Sequence, residues 1–276
     1  MSVNPRTPEE INRKLYPRTG LYRALAEGTE IGEEEKRFYR EQGFLGVQGF
    51  LTTEEIRNAV QALAEHIDSD ETKVKVQFTK PKSELSSRGE RELAVRKVYD
   101  FVEEEERLRA IACKPMLLEA VEKLLGAKPK LVQDMALLKP PFGGGEKPWH
   151  QDMAYGPLAF DKPVIGVWLA LDEADEDNGC MQVIPRSHMD GGVPHYAVRD
   201  WQICDANVPV ERNLAVPLKP GGALFFHGLL THGTAHNFSA RRRRALQFHY
   251  APEGAEKLHP PEYKRLFTNE MTGAEC

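Results

Sequence analysis

The sequence predicts a mainly β fold with flanking helices, and three observations predict it. From Lys130 onward, short apolar runs of strand length (LVQDMALLKPP, VIGVWLALDEA, CMQVIP, LAVPLKPG, ALFFHGLLTHG, RALQFHYAP) alternate with Gly, Pro, Asn and Asp at intervals typical of sandwiches and barrels. Before that point helical spacing dominates. No fixed-period repeat and no Pro/Gly/Ser linker divides the 276 residues, so a single domain with helices packed on one face of a β-sandwich is expected.

Taken in order, residues 1–30 are polar and carry Pro5, Pro8 and Pro17, which predicts a loose arm with at most one short helix and no chemistry. A helix-rich support is expected over about 31–128. There, Phe38 and Tyr39 precede a glycine-punctuated apolar stretch, and TTEEIRNAVQALAEHI combines a Thr cap and early Glu with Ile56, Val60 and Leu63 at helical spacing. The polar segment from Asp68 to Glu92 reads as an exposed loop between short strands. EEEERLRAIACKPMLLEAVEKLLG returns to helix until Gly126. The β core is expected over about 129–252, with 253–276 as a C-terminal tail.

Composition excludes whole classes of function. The chain is 41% hydrophobic and 29% charged, as in globular proteins, and no run nears the roughly 18 apolar residues of a membrane span. A net charge of −5 argues against a nucleic-acid surface spread over the chain. Cys113, Cys180, Cys204 and Cys276 form no CxxC pair and read as four reduced thiols. The opening residues lack a secretory apolar run and the terminal GAEC is no targeting tripeptide, so a cytoplasmic address is expected.

Chemistry concentrates in the β half. In WHQD, His150 and Asp152 stand two apart, so on a strand both project from one face and can grip one ion. A third ligand should come from a distant strand, and His232 in LLTHG sits where a strand meets a turn. Two imidazoles and one carboxylate on one face of an octahedral ion leave three open positions, the arrangement of non-heme Fe(II) oxygenases. Those positions can hold a bidentate organic acid and dioxygen. Arg243, eleven residues after His232 in a strand-like run, can reach past such a metal to a distal carboxylate; its three neighbouring arginines read as a solvated edge.

Several separate motifs then combine: RKVYDF at 96–101, MALLKPP at 135–141, HQD at 150–152, VWLALDEADEDNGCMQVIPRSH at 167–188 and FFHGLLTHGTAHNFSARRRRA at 225–245. With these the chain resembles the phytanoyl-CoA hydroxylase family of iron(II)- and 2-oxoglutarate-dependent dioxygenases from about Phe38 to Pro252. The resemblance implies a double-stranded β-helix (jelly-roll, cupin-like) core, with His150, Asp152 and His232 as metal triad and Arg243 as anchor for 2-oxoglutarate. It also implies cosubstrate contacts from Lys97, Met135, Trp168 and Thr234, the last standing where serine is commoner; Gln133 shares a strand face with Met135. His227 matches a family histidine that is not a ligand. Arg186 replaces the family's usual glycine.

Iron(II), 2-oxoglutarate and dioxygen are thus the expected cofactor and cosubstrates, with ascorbate supportive. Retention of Asp152 argues against the related halogenases, which lack this carboxylate. The expected reaction is hydroxylation of an aliphatic C–H bond of a small molecule, with no nucleic-acid or membrane partner. The alternatives are a metal-dependent hydrolase or isomerase of cupin type, which needs no carboxylate clamp, and a catalytically silent binding protein of the same fold. Tyr155, Trp201 and His195 are candidates for an aromatic substrate pocket, with His188 nearby; Arg186 and Arg199 are candidates to meet a substrate anion. NGC at 178–180 reads as a turn.

Overall fold

The computed structural model describes residues 7–270, 273, 275 and 276. In chain order the elements are α1 (Pro8–Leu15), α2 (Glu33–Gln42), β1 (Phe44–Val47), α3 (Thr53–Asp68), β2 (Lys75–Phe78), α4 (Arg88–Ala94), β3 (Val95–Tyr99), α5 (Glu106–Ala112), α6 (Pro115–Leu125), β4 (Pro129–Lys139), β5 (Lys147–His150), β6 (Ile165–Ala170), β7 (Met181–Val183), β8 (His195–Ala197), β9 (Trp201–Ile203), β10 (Leu214–Val216), β11 (Ala223–His227), β12 (His232–Thr234), β13 (Arg243–Pro252) and α7 (Pro260–Phe267). The mainly β half with a helical first half is therefore present.

Local chemistry accounts for the helix ends. Thr52 caps α3 while Glu55 bonds back to the Thr52 backbone, a reciprocal box that satisfies two free N–H groups. Helix α6 starts at Pro115 and ends at Gly126, whose φ of 73° suits a residue without Cβ. The single helix expected before Gly126 is two, broken at Cys113 and Lys114 because Pro115 cannot continue a preceding turn. The expected loop over 68–92 contains α4, which Ser87 and Glu90 cap reciprocally.

The N-terminal arm also differs from expectation. Ile11, Leu15 and Tyr16 are buried against Trp149 and Ile184, and Tyr16 stacks on Trp149 at 5.3 Å. Three apolar side chains on one side of a two-turn helix suffice to dock it, a pattern too short to stand out among polar neighbours. Leu21 and Leu25 then bridge to Ala215 and Val47. Residues 1–6 of the arm lie outside the described residues. The reading of four reduced thiols is corrected too: Cys204 and Cys276 are bonded to each other, leaving Cys113 and Cys180 free. Their 72-residue separation has no local signature, and only the return of the tail brings the Cα atoms to 5.3 Å.

Two antiparallel sheets organise the β half. The larger runs β1-β11-β6-β13-β4-β3-β2 and the smaller β10-β7-β12-β5, with β8-β9 as a separate ribbon. Side-chain alternation gives the larger sheet two different faces. Outward, Leu246, Phe248 and Tyr250 of β13 join Val167, Leu169 and Phe225 in a core shared with Leu63, Leu108 and Val121 of the helices. Inward, Ala245, Trp168, Ala170, Leu224 and Phe226 pack on Met181, Val183 and Val216 of the smaller sheet. Strand β13, paired with β4 on one side and β6 on the other, is the spine of this arrangement. Among the described residues, no helix is long and apolar enough to cross a membrane.

Gly166 makes room on the inner face. A Cβ there would stand 2.3 Å from the Phe226 ring, which itself leans on His232 with centroids 4.7 Å apart. Gly166→Ala is expected to cost about 1–3 kcal/mol by overpacking, read from urea unfolding midpoints. An unchanged midpoint would mean that the inter-sheet space is looser than described.

Candidate metal and cosubstrate site

Strand β5 ends at His150, and Asp152 opens a short 3-10 turn, Asp152–Ala154, so the two do not share a strand face as the spacing predicts. The chain bends between them, and the same pair still meets. His232 opens β12 directly opposite His150, so adjacent strands of the smaller sheet supply both imidazoles. The His150 and His232 Nε2 atoms lie 3.3 and 3.6 Å from the same Asp152 oxygen, Oδ1. One ligand atom from each of the three lies within 4.8 Å of the others, and all three residues are buried.

The protonation pattern suits a divalent cation. Each ring donates through Nδ1 to a backbone carbonyl, His150 to Pro148 at 2.7 Å and His232 to Leu230 at 2.9 Å. That tautomer leaves both Nε2 lone pairs free for a metal. Burial, reinforced by His150, pushes the His232 pKa down to about 4, so it is neutral near pH 7. Burial opposes ionisation of Asp152, yet the surrounding imidazoles, His232 foremost and then His249, hold its carboxyl well below the usual carboxylate range. One carboxylate and two imidazoles, each with its Nε2 turned toward the same space, result, a set that fits Fe(II).

Register explains the rest of the site. Directly paired residues share a sheet face, and β13 pairs Arg243 with Lys139, Gln247 with Met135 and Trp168, and His249 with Gln133 and Gly166. Strand β3 adds Lys97 opposite Leu137 and Tyr99 opposite Met135. Lys97, Gln133, Met135, Trp168 and Arg243 therefore all stand on the inner face, and Thr234 stands on β12 of the smaller sheet.

Arg243 is 2% exposed, yet its Nε and Nη1 have no hydrogen-bond partner among the described residues. Trp168 Nε1 and Thr234 Oγ1 are likewise buried and unpartnered. The guanidinium carbon lies 5.4 Å from the Trp168 ring centroid. Burial pulls the Arg243 pKa down to about 10, so it remains a cation. Leaving a buried charged donor unspent costs upward of about 1–3 kcal/mol, so this end of the cavity is built for an acceptor that arrives with a ligand. A carboxylate fits it. Lys97 is half-buried with Nζ 5.1 Å from the Tyr99 ring centroid, and burial together with Lys147 lowers its pKa.

The substrate candidates divide. Tyr155 stands edge-on to His150 at 5.6 Å and donates its hydroxyl to the Trp201 carbonyl, while Trp201 donates to the Ala154 carbonyl. His195 uses both ring nitrogens within the chain, Nε2 accepting from the Gln151 amide and Nδ1 donating to Val193, while its ring stacks on Trp201 at 5.9 Å. His188 lies beside His227 with its Nε2 on the Arg40 carbonyl and touches none of the triad. Arg199 is taken by Glu146 and Asp205. Arg186 is exposed at a φ of 68°, left-handed backbone where glycine costs nothing, and its amide is pinned to Gln42 at the end of α2. The turn at 178–180 is present, with Gly179 at a φ of 79°.

Comparison with known proteins decides the family. The family model described as Phytanoyl-CoA dioxygenase (PhyH) matches residues 39–245. The chain belongs to the phytanoyl-CoA dioxygenase family. Among curated relatives, the peroxisomal phytanoyl-CoA dioxygenase of Bos taurus is 29% identical over 252 residues, covering 82% of this chain and 70% of the relative. The Homo sapiens enzyme is 28% identical over 239 residues, covering 79% and 68%. Two solved structures share the fold. EvdO2 from Micromonospora carbonacea var. aurantiaca, complexed with 2-oxoglutarate, is 21% identical with a TM-score of 0.66 over 85% of this chain and 97% of that one. The epimerase SnoN, in complex with Fe3+, alpha ketoglutarate and nogalamycin RO, is 22% identical with a TM-score of 0.64, over 88% and 91%. This member of the phytanoyl-CoA dioxygenase family is a non-heme-iron, 2-oxoglutarate-dependent dioxygenase.

The motif reading missed His249 and Gln247, which both reach Asp152. Their signal was present: from Arg243, every second residue of β13 returns to the same face. Two expectations follow. Arg243→Ala should raise the KM for 2-oxoglutarate roughly a hundredfold, the scale of losing one partner of a buried charge pair, and an unchanged KM would remove it from that contact. Burial lowers His195 to about 3 and His227 to about 4 from 6.5, so the unfolded chain binds more protons below 6.5. The metal-free protein should therefore lose stability as pH falls from 6.5 towards 4, with a shallower slope in His195→Gln. Equal slopes in thermal unfolding would contradict the buried neutral state of His195.

Proposed function

We propose that this enzyme hydroxylates an aliphatic C–H bond of a small molecule, consuming 2-oxoglutarate and O2 and releasing succinate and CO2. The reading rests on one observation: three buried ligand atoms converge at the smaller sheet, and the facing inner side of the larger sheet carries the unspent donors of Arg243. His150, Asp152 and His232 hold the iron. Arg243, with Trp168 and Thr234, takes the distal carboxylate of 2-oxoglutarate, and Lys97, Gln133 and Met135 complete the wall around the cosubstrate. When bound, the iron supplies the redox chemistry that couples decarboxylation to C–H oxidation.

The chain's own residues do the rest. Fixed Nδ1–H bonds keep the two Nε2 atoms aimed at the ion, and Phe226 and Trp168 exclude water behind them. Tyr155, edge-on to His150, screens the other side. A cavity of about 440 Å³ lined by Lys97, Tyr99, Gln133 and Pro157, the first three on the inner face of the larger sheet, is the candidate entry for a small metabolite. We read residues 1–276 as one dioxygenase domain whose two sheets are the walls of a double-stranded β-helix, or jelly roll. A cytoplasmic location, ascorbate as supporting reductant and the absence of membrane partners belong to the same reading, as does the absence of a nucleic-acid partner, which the net charge of −5 supports. The peroxisomal location in the names of mammalian relatives is a property of those proteins.

The test is a metabolite screen under 18O2 with Fe(II), 2-oxoglutarate and ascorbate. A true substrate should raise succinate release and gain one 18O atom per succinate formed. Turnover supported by zinc without oxygen, or oxygen-dependent succinate release that persists in full in Asp152→Ala, would refute the reading.

A further inference from the structure

Asp152 has two oxygens with different surroundings. Oδ1 faces the two ligand imidazoles, at 3.3 Å from His150 and 3.6 Å from His232. Oδ2 faces the other sheet, where it lies 2.7 Å from His249 Nε2 and 3.3 Å from Gln247 Nε2. Both partners stand on the inner face of β13 and are buried. A carboxylate only accepts, so His249 donates through Nε2. Its Nδ1 has no partner among the described residues. His195 uses both nitrogens on backbone groups, whereas among the described residues the polar neighbours of His249 lie at Nε2 alone: Asp152 Oδ2 at 2.7 Å and the Gln247 amide nitrogen at 3.2 Å.

We propose that His249, aided by Gln247, is a positioning residue that occupies Oδ2 and so fixes Asp152 as a one-oxygen ligand. The proposal rests on the reading of His150, Asp152 and His232 as the metal site. A free carboxylate can close on a cation through both oxygens and would then fill a fourth of the six positions. With Oδ2 engaged across the cavity, only Oδ1 can turn to the ion, and three positions stay open for the cosubstrates. The clamp also joins the sheets at the metal: Asp152 follows β5 of the smaller one, while His249 belongs to the spine of the larger. Phe226 supports both sides, with its ring 4.7 Å from that of His232 and 6.4 Å from that of His249.

The test uses Co(II) binding to the full-length protein without 2-oxoglutarate, followed by calorimetry and visible absorption. His249→Phe keeps a ring against Phe226 and removes the donor. His249→Gln restores an N–H at nearly the same distance along the side chain. The expected result is a Co(II) Kd raised roughly 10–100-fold in His249→Phe, with a changed ligand-field spectrum, and a Kd and spectrum near wild type in His249→Gln. Equal binding and spectra in His249→Phe and wild type would overturn the clamp. So would equal losses in both variants, which would make ring shape the cause. Wild-type protein that binds no Co(II) would remove the metal reading and the clamp together, so the two failures are distinguishable.

Discussion

A two-residue period along one buried strand carries this structure. On β13 the even positions Leu246, Phe248 and Tyr250 enter the core beneath the helices, while Arg243, Gln247 and His249 turn between the sheets. A slip of one residue would exchange the faces, placing a guanidinium, an amide and an imidazole in an apolar core and phenyl rings in the cavity. Because the apolar face is fully buried, its packing energy holds the polar face in place. The register that stabilises the fold therefore also aims the site.

Electrostatics then divides the space between the sheets. At one side a buried carboxylate turns Oδ1 toward the Nε2 atoms of two imidazoles and accepts from His249 and Gln247 on Oδ2. At the other a buried arginine keeps Nε and Nη1 unspent. The arrangement stores an unmet demand for an anion, so a dicarboxylate entering the cavity supplies acceptors that the protein withholds. In the proposed function Arg243 would orient its far end while its near end reaches the triad. His150, His232, Arg243 and His249 are placed by strands, and Asp152 by the 3-10 turn that follows β5.

Much of this was legible in the sequence, and the remainder was hidden for identifiable reasons. Separate motifs pointed to His150, Asp152, His232 and Arg243 because metal and carboxylate chemistry restrict residue type and spacing. The strand pattern after Lys130 was legible because alternation survives in primary sequence. Arm docking, by contrast, rests on Ile11, Leu15 and Tyr16 meeting Trp149, and the Cys204–Cys276 bond spans 72 residues; neither leaves a local trace. His195 stood out by residue type, and only its two hydrogen bonds reveal that it holds the Gln151 and Val193 backbones together. His249 belongs to none of the motifs, and strand register brings it to Asp152.

The central claim is that His150, Asp152 and His232 hold one ferrous ion opposite Arg243, so that a single dicarboxylate spans them. Anaerobic titration of the protein with Fe(II) and then 2-oxoglutarate tests it most directly, through the visible metal-to-ligand charge-transfer band that a chelated 2-oxo acid produces. The account predicts the band in wild-type protein, its absence in His232→Ala, and a shift to much higher 2-oxoglutarate in Arg243→Ala. No band in wild type at saturating iron and 2-oxoglutarate, or an undiminished band in His232→Ala, would contradict it.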